Sequence, residues 1–286
     1  DRVDQELLEN ISGRMKNIKV DDLRMNQQSL ADALFTRKWF NPFPKFRTTE
    51  RPDTASAELL EGRVLVICDT SPQVMILPTS IFDYLEETDD FYFPPLTGTY
   101  LRIVRTVILL LSVLITPLWY LSLEYSEFLP DVLTFLIPDE PGALPIIVQL
   151  FLVELAIDGL KIASMNTPDI LSNSLSVGGA LILGDFAVDV GWLSSDVILY
   201  MAFVAIANFS QQNYELGYAF KFMRIILLIL TAIFGLWGFI GGSLLVVALI
   251  ATNETVNKKR SYLYPLIPFN YKAFKSLFIR VKKYDF

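Results

Sequence analysis

Between Ile103 and Leu123 the chain is almost wholly apolar, with Arg105 as its one charged side chain. A helix of that length rises about 30 Å, the thickness of a bilayer's hydrocarbon core, so the run reads as a membrane span. Charges crowd residues 1–105 and 253–286, whereas most of the stretch between them is Leu, Ile, Val, Phe, Ala and Gly. The chain is 52% hydrophobic with a mean hydropathy of +0.42, more apolar surface than a soluble core hides, and the excess is expected to face lipid. Three parts are therefore expected. Residues 1–100 form a soluble, cytoplasmic α/β or α+β portion. Residues 101–251 form an all-α polytopic transmembrane region, and residues 252–286 a short basic cytoplasmic tail.

The net charge of −7 provides no basic surface for nucleic acid. The chain has no histidine and one cysteine, Cys68, so the usual His/Cys zinc spacings, histidine acid–base chemistry and an internal disulfide are not expected. Without histidine no nucleophile, base and oxyanion-donor set assembles from these residues, and neither an enzyme nor a cofactor is expected. The start, Asp1-Arg2-Val3, is not followed by a basic, then apolar, then small-residue leader. No signal peptide is expected there, and the natural protein is expected to begin further upstream.

In the first 100 residues, Val3, Leu7, Leu8 and Ile11 recur at helical spacing over Arg2–Met15, and Ser29–Phe35 is a second short helical candidate. Asn41-Pro42-Phe43-Pro44 breaks regular structure, and Ala55–Leu60 fits one or two helical turns. Arg63–Cys68 reads as a buried strand, Asp69-Thr70-Ser71-Pro72 as a turn, and Val74–Pro78 as its antiparallel partner. Asp69, Ser71, Asp89 and Asp90 are the polar groups one would nominate for chemistry, but turns select Asp and Ser for local hydrogen bonds.

Arg102 and Arg105 precede the first span, and acids follow it with no lysine or arginine before Lys161, so the amino-terminal side is expected in the cytoplasm. A second span, Ala143–Leu160, holds Glu154 and Asp158 at i, i+4. Carboxylates at that depth face a protein interior or water. Glu154 is a candidate for a functional or interhelical role, and Asp158 a candidate partner of nearby Lys161.

Val177–Trp192 reads VGGALILGDFAVDVGW and is not an ordinary span. It is short, contains Gly178, Gly179, Gly184 and Gly191, and places Asp185 and Asp189 one helical turn apart. Lining an aqueous path in several copies, the two acids would form a cation-attracting ring, with the glycines allowing close approach. A glycine-rich helix packed on its neighbours, its acids neutral or snorkelling, is the competing interpretation. Asp196 resembles an N-cap for the next run, Val197–Phe209. The last run, Phe222–Ile250, contains a flexible Gly238-Phe239-Ile240-Gly241-Gly242 and is either one tilted span or a broken one. Lysines and arginines after it place both ends in the cytoplasm, so the number of crossings is even. Four fit, at 103–123, 143–161, 194–210 and 222–250, with 174–193 as a re-entrant or partial segment. Five or six crossings, with the last run split at Gly241-Gly242, are the alternatives.

Several strings occur together and in order: Glu61-Gly62-Arg63-Val64-Leu65-Val66 through Asp69-Thr70-Ser71-Pro72 to Ile76-Leu77-Pro78, then Asp90-Phe91-Tyr92 and Arg102-Ile103-Val104-Arg105. Ser176-Val177-Gly178-Gly179-Ala180-Leu181-Ile182-Leu183-Gly184 and Tyr264-Pro265-Leu266-Ile267-Pro268 continue the pattern. With them the chain resembles the GerA family of spore germination proteins over most of its length. Glu154-Leu155-Ala156-Ile157-Asp158-Gly159-Leu160-Lys161 stands where nutrient-receptor subunits carry a Glu, Arg-Glu-Ala, Arg pattern, and resembles the stage V sporulation branch more closely. The resemblance implies a multi-pass protein of the inner spore membrane with both termini on the spore-core side. It further implies a homo-oligomer, a pentamer, that passes monovalent cations during germination and amplifies the germinant signal with a small membrane partner or receptor subunits. On this basis the expected pore-lining and gate residues are Gly178, Gly179, Leu183, Gly184, Asp185, Val188 and Asp189. A non-conducting receptor subunit or scaffold is the alternative, and a secondary transporter ranks behind both because no internal hydropathy repeat is evident.

Overall fold

The structure, a computed structural model, describes residues 5–19, 25–35, 39–166, 179, 187–211, 213–253, 255 and 261–279. They cluster into two compact units, 1–107 with 213–219 and 245–286, and 108–212 with 220–244.

The first unit is a small layered α+β body. Helices α1 (Gln5–Lys16) and α2 (Asn26–Leu34) turn Leu7, Ile11, Leu30, Ala31 and Leu34 toward one core. Strand β1 (Arg47–Thr49) is followed by α3 (Pro52–Leu60), whose proline occupies the first turn, where a missing N–H costs nothing. Strands β2 (Val64–Ile67) and β3 (Val74–Leu77) then form the antiparallel hairpin read from the sequence, with Val64 opposite Leu77 and Ile67 opposite Val74. β1 pairs on the other edge of β3, giving the order β1-β3-β2. Val64, Val66, Met75 and Leu77 close the core against the two helices. The turn behaves as its composition predicts: Thr70 takes φ +65°, and Asp69 accepts a hydrogen bond from the Thr70 N–H at 2.9 Å.

Asp90 does more than hold a turn. It is buried at the end of a 3₁₀ segment, Thr88–Phe91, just before the long helix α4 (Pro95–Glu124). Its carboxylate accepts from Arg105 Nη1 at 3.0 Å and Nη2 at 3.2 Å, and Arg102 Nε lies 3.3 Å away. The Arg102 guanidinium lies 4.9 Å from the Phe91 ring. Two sequence strings ten or more residues apart thus meet at the foot of α4.

The second unit holds the rest of α4, together with α5 (Ile146–Asn166), a single helical turn α6 (Ala187–Asp189), α7 (Ser195–Phe209) and part of α8 (Tyr214–Ala251). Trp119, Leu150, Val153, Val197, Met201 and Val204 form its core. Helices α4 and α8 are long and apolar enough to cross a membrane, and only 33% of each one's most apolar window is buried. Leu110, Leu111, Ile229, Ile233 and Trp237 are among the large side chains left exposed along them, a pattern suited to lipid contact.

Helices α5 and α7 run parallel. Gln149 near the start of α5 accepts from the Ser194 N–H at 2.8 Å, while Lys161 near the end of α5 lies 6.0 Å from the ring of Phe209, the last residue of α7. The N-cap of α7 is Ser194, whose hydroxyl accepts from the Val197 N–H at 3.2 Å. Asp196, the residue nominated as the cap, falls instead in the first turn, where its charge suits the helix dipole.

Helix α8 is broken, and not at Gly241-Gly242. Gly235 takes φ +56° and ψ −134°, and the chain doubles back there. A Cβ built on Gly238 would lie 1.8 Å from the carbonyl oxygen of Leu230, and one on Gly242 would lie 2.6 Å from a methyl of Leu227. In a continuous helix residues 230 and 238 would stand about 12 Å apart. The last apolar run is therefore a hairpin with limbs 214–234 and 236–251, turning where only glycine is unstrained. A short helix, α9 (Tyr271–Phe278), follows in the first unit, capped by the Asn270 side chain on the Ala273 N–H at 3.3 Å.

Candidate functional site

Two acids at i, i+4 on α5 share one face, as do Lys221 and Arg224 at i, i+3 on α8. The fold sets these faces against each other. Arg224 Nη2 donates to both oxygens of Glu154 at 2.7 Å, and Lys221 Nζ lies 2.9 Å from Glu154 Oε1. Lys221 also bonds Asp158. Arg224 Nη1 donates to the Ser112 carbonyl of α4 at 3.0 Å, so three helices meet at one guanidinium. Glu154, Lys221 and Arg224 are buried, and the Asp158 side chain is 30% exposed.

The contacts pair two acids with two bases, with Lys161 within electrostatic reach of Asp158 and Lys221, and pairing is the condition under which ionised groups persist in a low-dielectric interior. Such an arrangement fixes helix register. Its acids already have fixed counterions and have little left to offer a diffusing cation. Glu154, a candidate for a functional or interhelical role, bonds α8 across the helix contact. Asp158, the candidate partner of Lys161, bonds Lys221 on another helix and stays within electrostatic reach of Lys161. Lys221 and Arg224 were not singled out as site residues, although their spacing opposite an acid pair at helical spacing was a usable signal.

A second polar clip holds the described end of the glycine-aspartate stretch, residues 187–193. Gln149, fully buried, donates to the Pro141 carbonyl at 2.6 Å and the Leu144 carbonyl at 2.7 Å and accepts from Ser194 N–H. Beside it the Ala143 N–H donates to the Gly191 carbonyl at 2.8 Å. Gly191 takes φ +75°, and the carbonyls of Ala187 and Val188 accept from the backbone N–H groups of residues 191–193. This places α6 beside the start of α5, with Val188 half-buried and Asp189 exposed. Further back, Gly179 lies against Leu160, where a Cβ would come within 2.3 Å of a leucine methyl. Gly178, Leu183, Gly184, Asp185 and most of the 174–193 segment lie outside the described residues. Among the described candidates Glu154 and Asp158 are brought together, whereas Asp189 sits apart from them beside the opposite end of α5.

Around the hairpin sheet a separate charged cluster is outside the apolar helices. Arg63 Nε lies 2.6 Å from Glu58 and its Nη1 2.7 Å from Asp83, and Arg47 reaches Glu58 at 3.4 Å. Burial nevertheless pushes Glu58 up to about 7, whereas Arg63 holds the equally buried Asp83 below the usual carboxylate range.

The profile of the Bacillus/Clostridium GerA spore germination protein family matches residues 1–285. Stage V sporulation protein AF of Bacillus subtilis (strain 168) is 38% identical over 283 residues, 99% of this chain and 57% of that protein. Spore germination protein KA of the same organism is 27% identical over 97% of this chain and 51% of its own length. Spore germination protein GerQA of Bacillus cereus is 29% identical over 98% and 56%. The chain thus spans a little over half the length of these relatives. No solved structure matches it.

Proposed function

Because this chain belongs to the GerA family of spore germination proteins, we propose that it forms part of an oligomeric channel releasing monovalent cations across the inner spore membrane during germination. The observation that carries the reading is the unequal treatment of the acids in the second unit. Glu154 and Asp158 are matched by Lys221 and Arg224, whereas Asp189 stands exposed on α6. Repeated around a symmetry axis, an exposed carboxylate forms a ring that concentrates cations. Asp185, one helical turn earlier in sequence, would add a second ring. Leu183 and Val188 would supply the apolar constriction, and Gly178, Gly179 and Gly184 the close approach between copies. The assembly is a homo-oligomer, a pentamer, working with a small membrane partner or receptor subunits.

The helix directions support six passages in place of four. Gly179 lies near the end of α5 and Gly191 beside its start, two described points at opposite ends of one helix. Helix α7 then runs parallel to α5, and the limbs of α8 go and return, the second being only about 24 Å long. Arg102 and Arg105 at the foot of α4 and the basic residues after 257 support termini on the spore-core side.

A second reading, a non-conducting receptor subunit or scaffold, is favoured by the paired cluster itself, which would transmit a displacement of α8 to α5 and α4 without any ion path.

Potassium efflux from liposomes holding the full-length protein separates the two. Channel activity reduced about tenfold by Asp189→Asn or Asp185→Asn is expected. Unchanged flux in both variants overturns the pore assignment, and assembled protein that stays impermeable with any residue at Val188 establishes the second reading.

A further inference from the structure

Eight lysines and arginines and no acid lie between residues 258 and 283, in a chain whose net charge is −7. Two of them, Lys272 and Lys275, are on α9. They share its exposed stripe with Tyr271, and Ile279, the extended residue that closes the helix, is exposed just beyond, while Phe274 and Phe278 occupy the half-buried side, their rings 5.3 Å apart. The turns leading into α9 leave Leu266, Ile267 and Phe269 exposed as well. An exposed face that mixes lysine with aromatic and aliphatic side chains suits neither water alone nor a protein core. It suits the headgroup layer, where ammonium groups meet phosphates and apolar side chains reach the upper acyl chains.

The height of α9 is fixed by a buried bond. Arg102 Nη1 donates to the Ser276 carbonyl at 2.6 Å, and its Nη2 reaches Glu86 at 2.9 Å. Arg102 directly precedes the apolar run of α4, and Arg105, in its first turn, is the one charge within it. The bond therefore holds the middle of α9 where that run would enter the bilayer.

We propose that α9 is an interfacial helix that docks on the anionic lipid surface through Tyr271, Lys272, Lys275 and Ile279. This surface is separate from the proposed ion path and does not depend on whether the protein conducts.

The test uses full-length protein with Cys68 and any cysteine outside residues 1–286 replaced by serine and with Ile279→Cys, an environment-sensitive fluorophore on the new thiol, in nanodiscs of phosphatidylcholine alone or with about 30% phosphatidylglycerol. Lipids spin-labelled near the headgroup should quench the fluorophore at least about twofold more in the anionic discs. Lys272→Gln with Lys275→Gln, or about 0.5 M salt, should remove that difference while the melting transition stays in place. Equal quenching in the two lipids, or none in either, as a bound protein partner or a water-facing helix would produce, overturns the proposal. A lipid-dependent difference that survives both substitutions overturns the assignment to these lysines.

Discussion

Glu154 presents both carboxylate oxygens to one guanidinium nitrogen of Arg224, at 2.7 Å each, across two apolar helices. Removing either partner leaves a buried charge, but not equally. Without Glu154, Arg224 keeps the Ser112 carbonyl and the more distant Asp158 among the described residues, whereas without Arg224, Glu154 still has Lys221 at 2.9 Å. Glu154→Met should therefore cost about 3–5 kcal/mol, and Arg224→Met distinctly less. The double variant, which leaves the Asp158–Lys221 pair balanced, should be more stable than Glu154→Met alone. Unfolding in mixed micelles measures all three, and additive losses would argue against a coupled cluster.

Asp158 should matter less. Its side chain is 30% exposed, and without it Lys221 still has Glu154 at 2.9 Å, so Asp158→Asn is expected to cost about 1 kcal/mol or less in the same assay.

The glycines of α8 should rank by what a methyl would meet. Gly238→Ala places Cβ against the Leu230 carbonyl and should be the most damaging, about 3 kcal/mol or more. Gly235→Ala forces a φ of +56° on alanine and crowds the Tyr125 hydroxyl at 2.9 Å, costing about 1–2 kcal/mol. Gly241→Ala meets nothing within 4 Å and should be neutral or stabilising by about 0.5 kcal/mol. Melting temperatures of the three variants provide the ranking.

Glu58 gives the first unit a pH dependence of definite sign. Burial raises it from 4.5 to about 7, so the folded state binds a proton that the unfolded chain has released within that interval. Its contribution is complete below about pH 4.5 and is lost as pH rises toward 7. Burial raises Glu86 and Glu87 in the same direction. Asp83, lowered by Arg63, has the opposite sign and acts only below its ordinary range near 3.8. Melting of the protein should therefore fall between pH 5 and 7, by about 1–3 kcal/mol in stability, and Glu58→Gln should flatten that slope.

The hairpin at 64–77 could be read from the sequence because β-branched residues flank a turn whose Asp and Ser bond locally. β1 could not, since Arg-Thr-Thr has no apolar alternation and its pairing partner lies some 25 residues ahead. The acids of α5 were legible as misplaced charges. Their partners were not, because a base near the start of an apolar run reads as a flank, and contact across some 70 residues depends on how α8 folds. The break at Gly235 was hidden for a related reason. It sits between Phe234 and Leu236 without polar neighbours, while the more conspicuous Gly238 and Gly242 serve the returning limb by letting it approach Leu230 and Leu227. For the glycine-aspartate stretch, the described residues place Asp189 at an exposed position beside the start of α5, away from the matched acids.

The most direct test of the account is the reversal potential of the full-length protein in a planar bilayer under a potassium chloride gradient. The account predicts cation selectivity that falls about tenfold in a combined Asp185→Asn and Asp189→Asn variant and persists in Asp158→Asn. Selectivity unchanged in the combined variant, or lost only when Asp158 is neutralised, would contradict it.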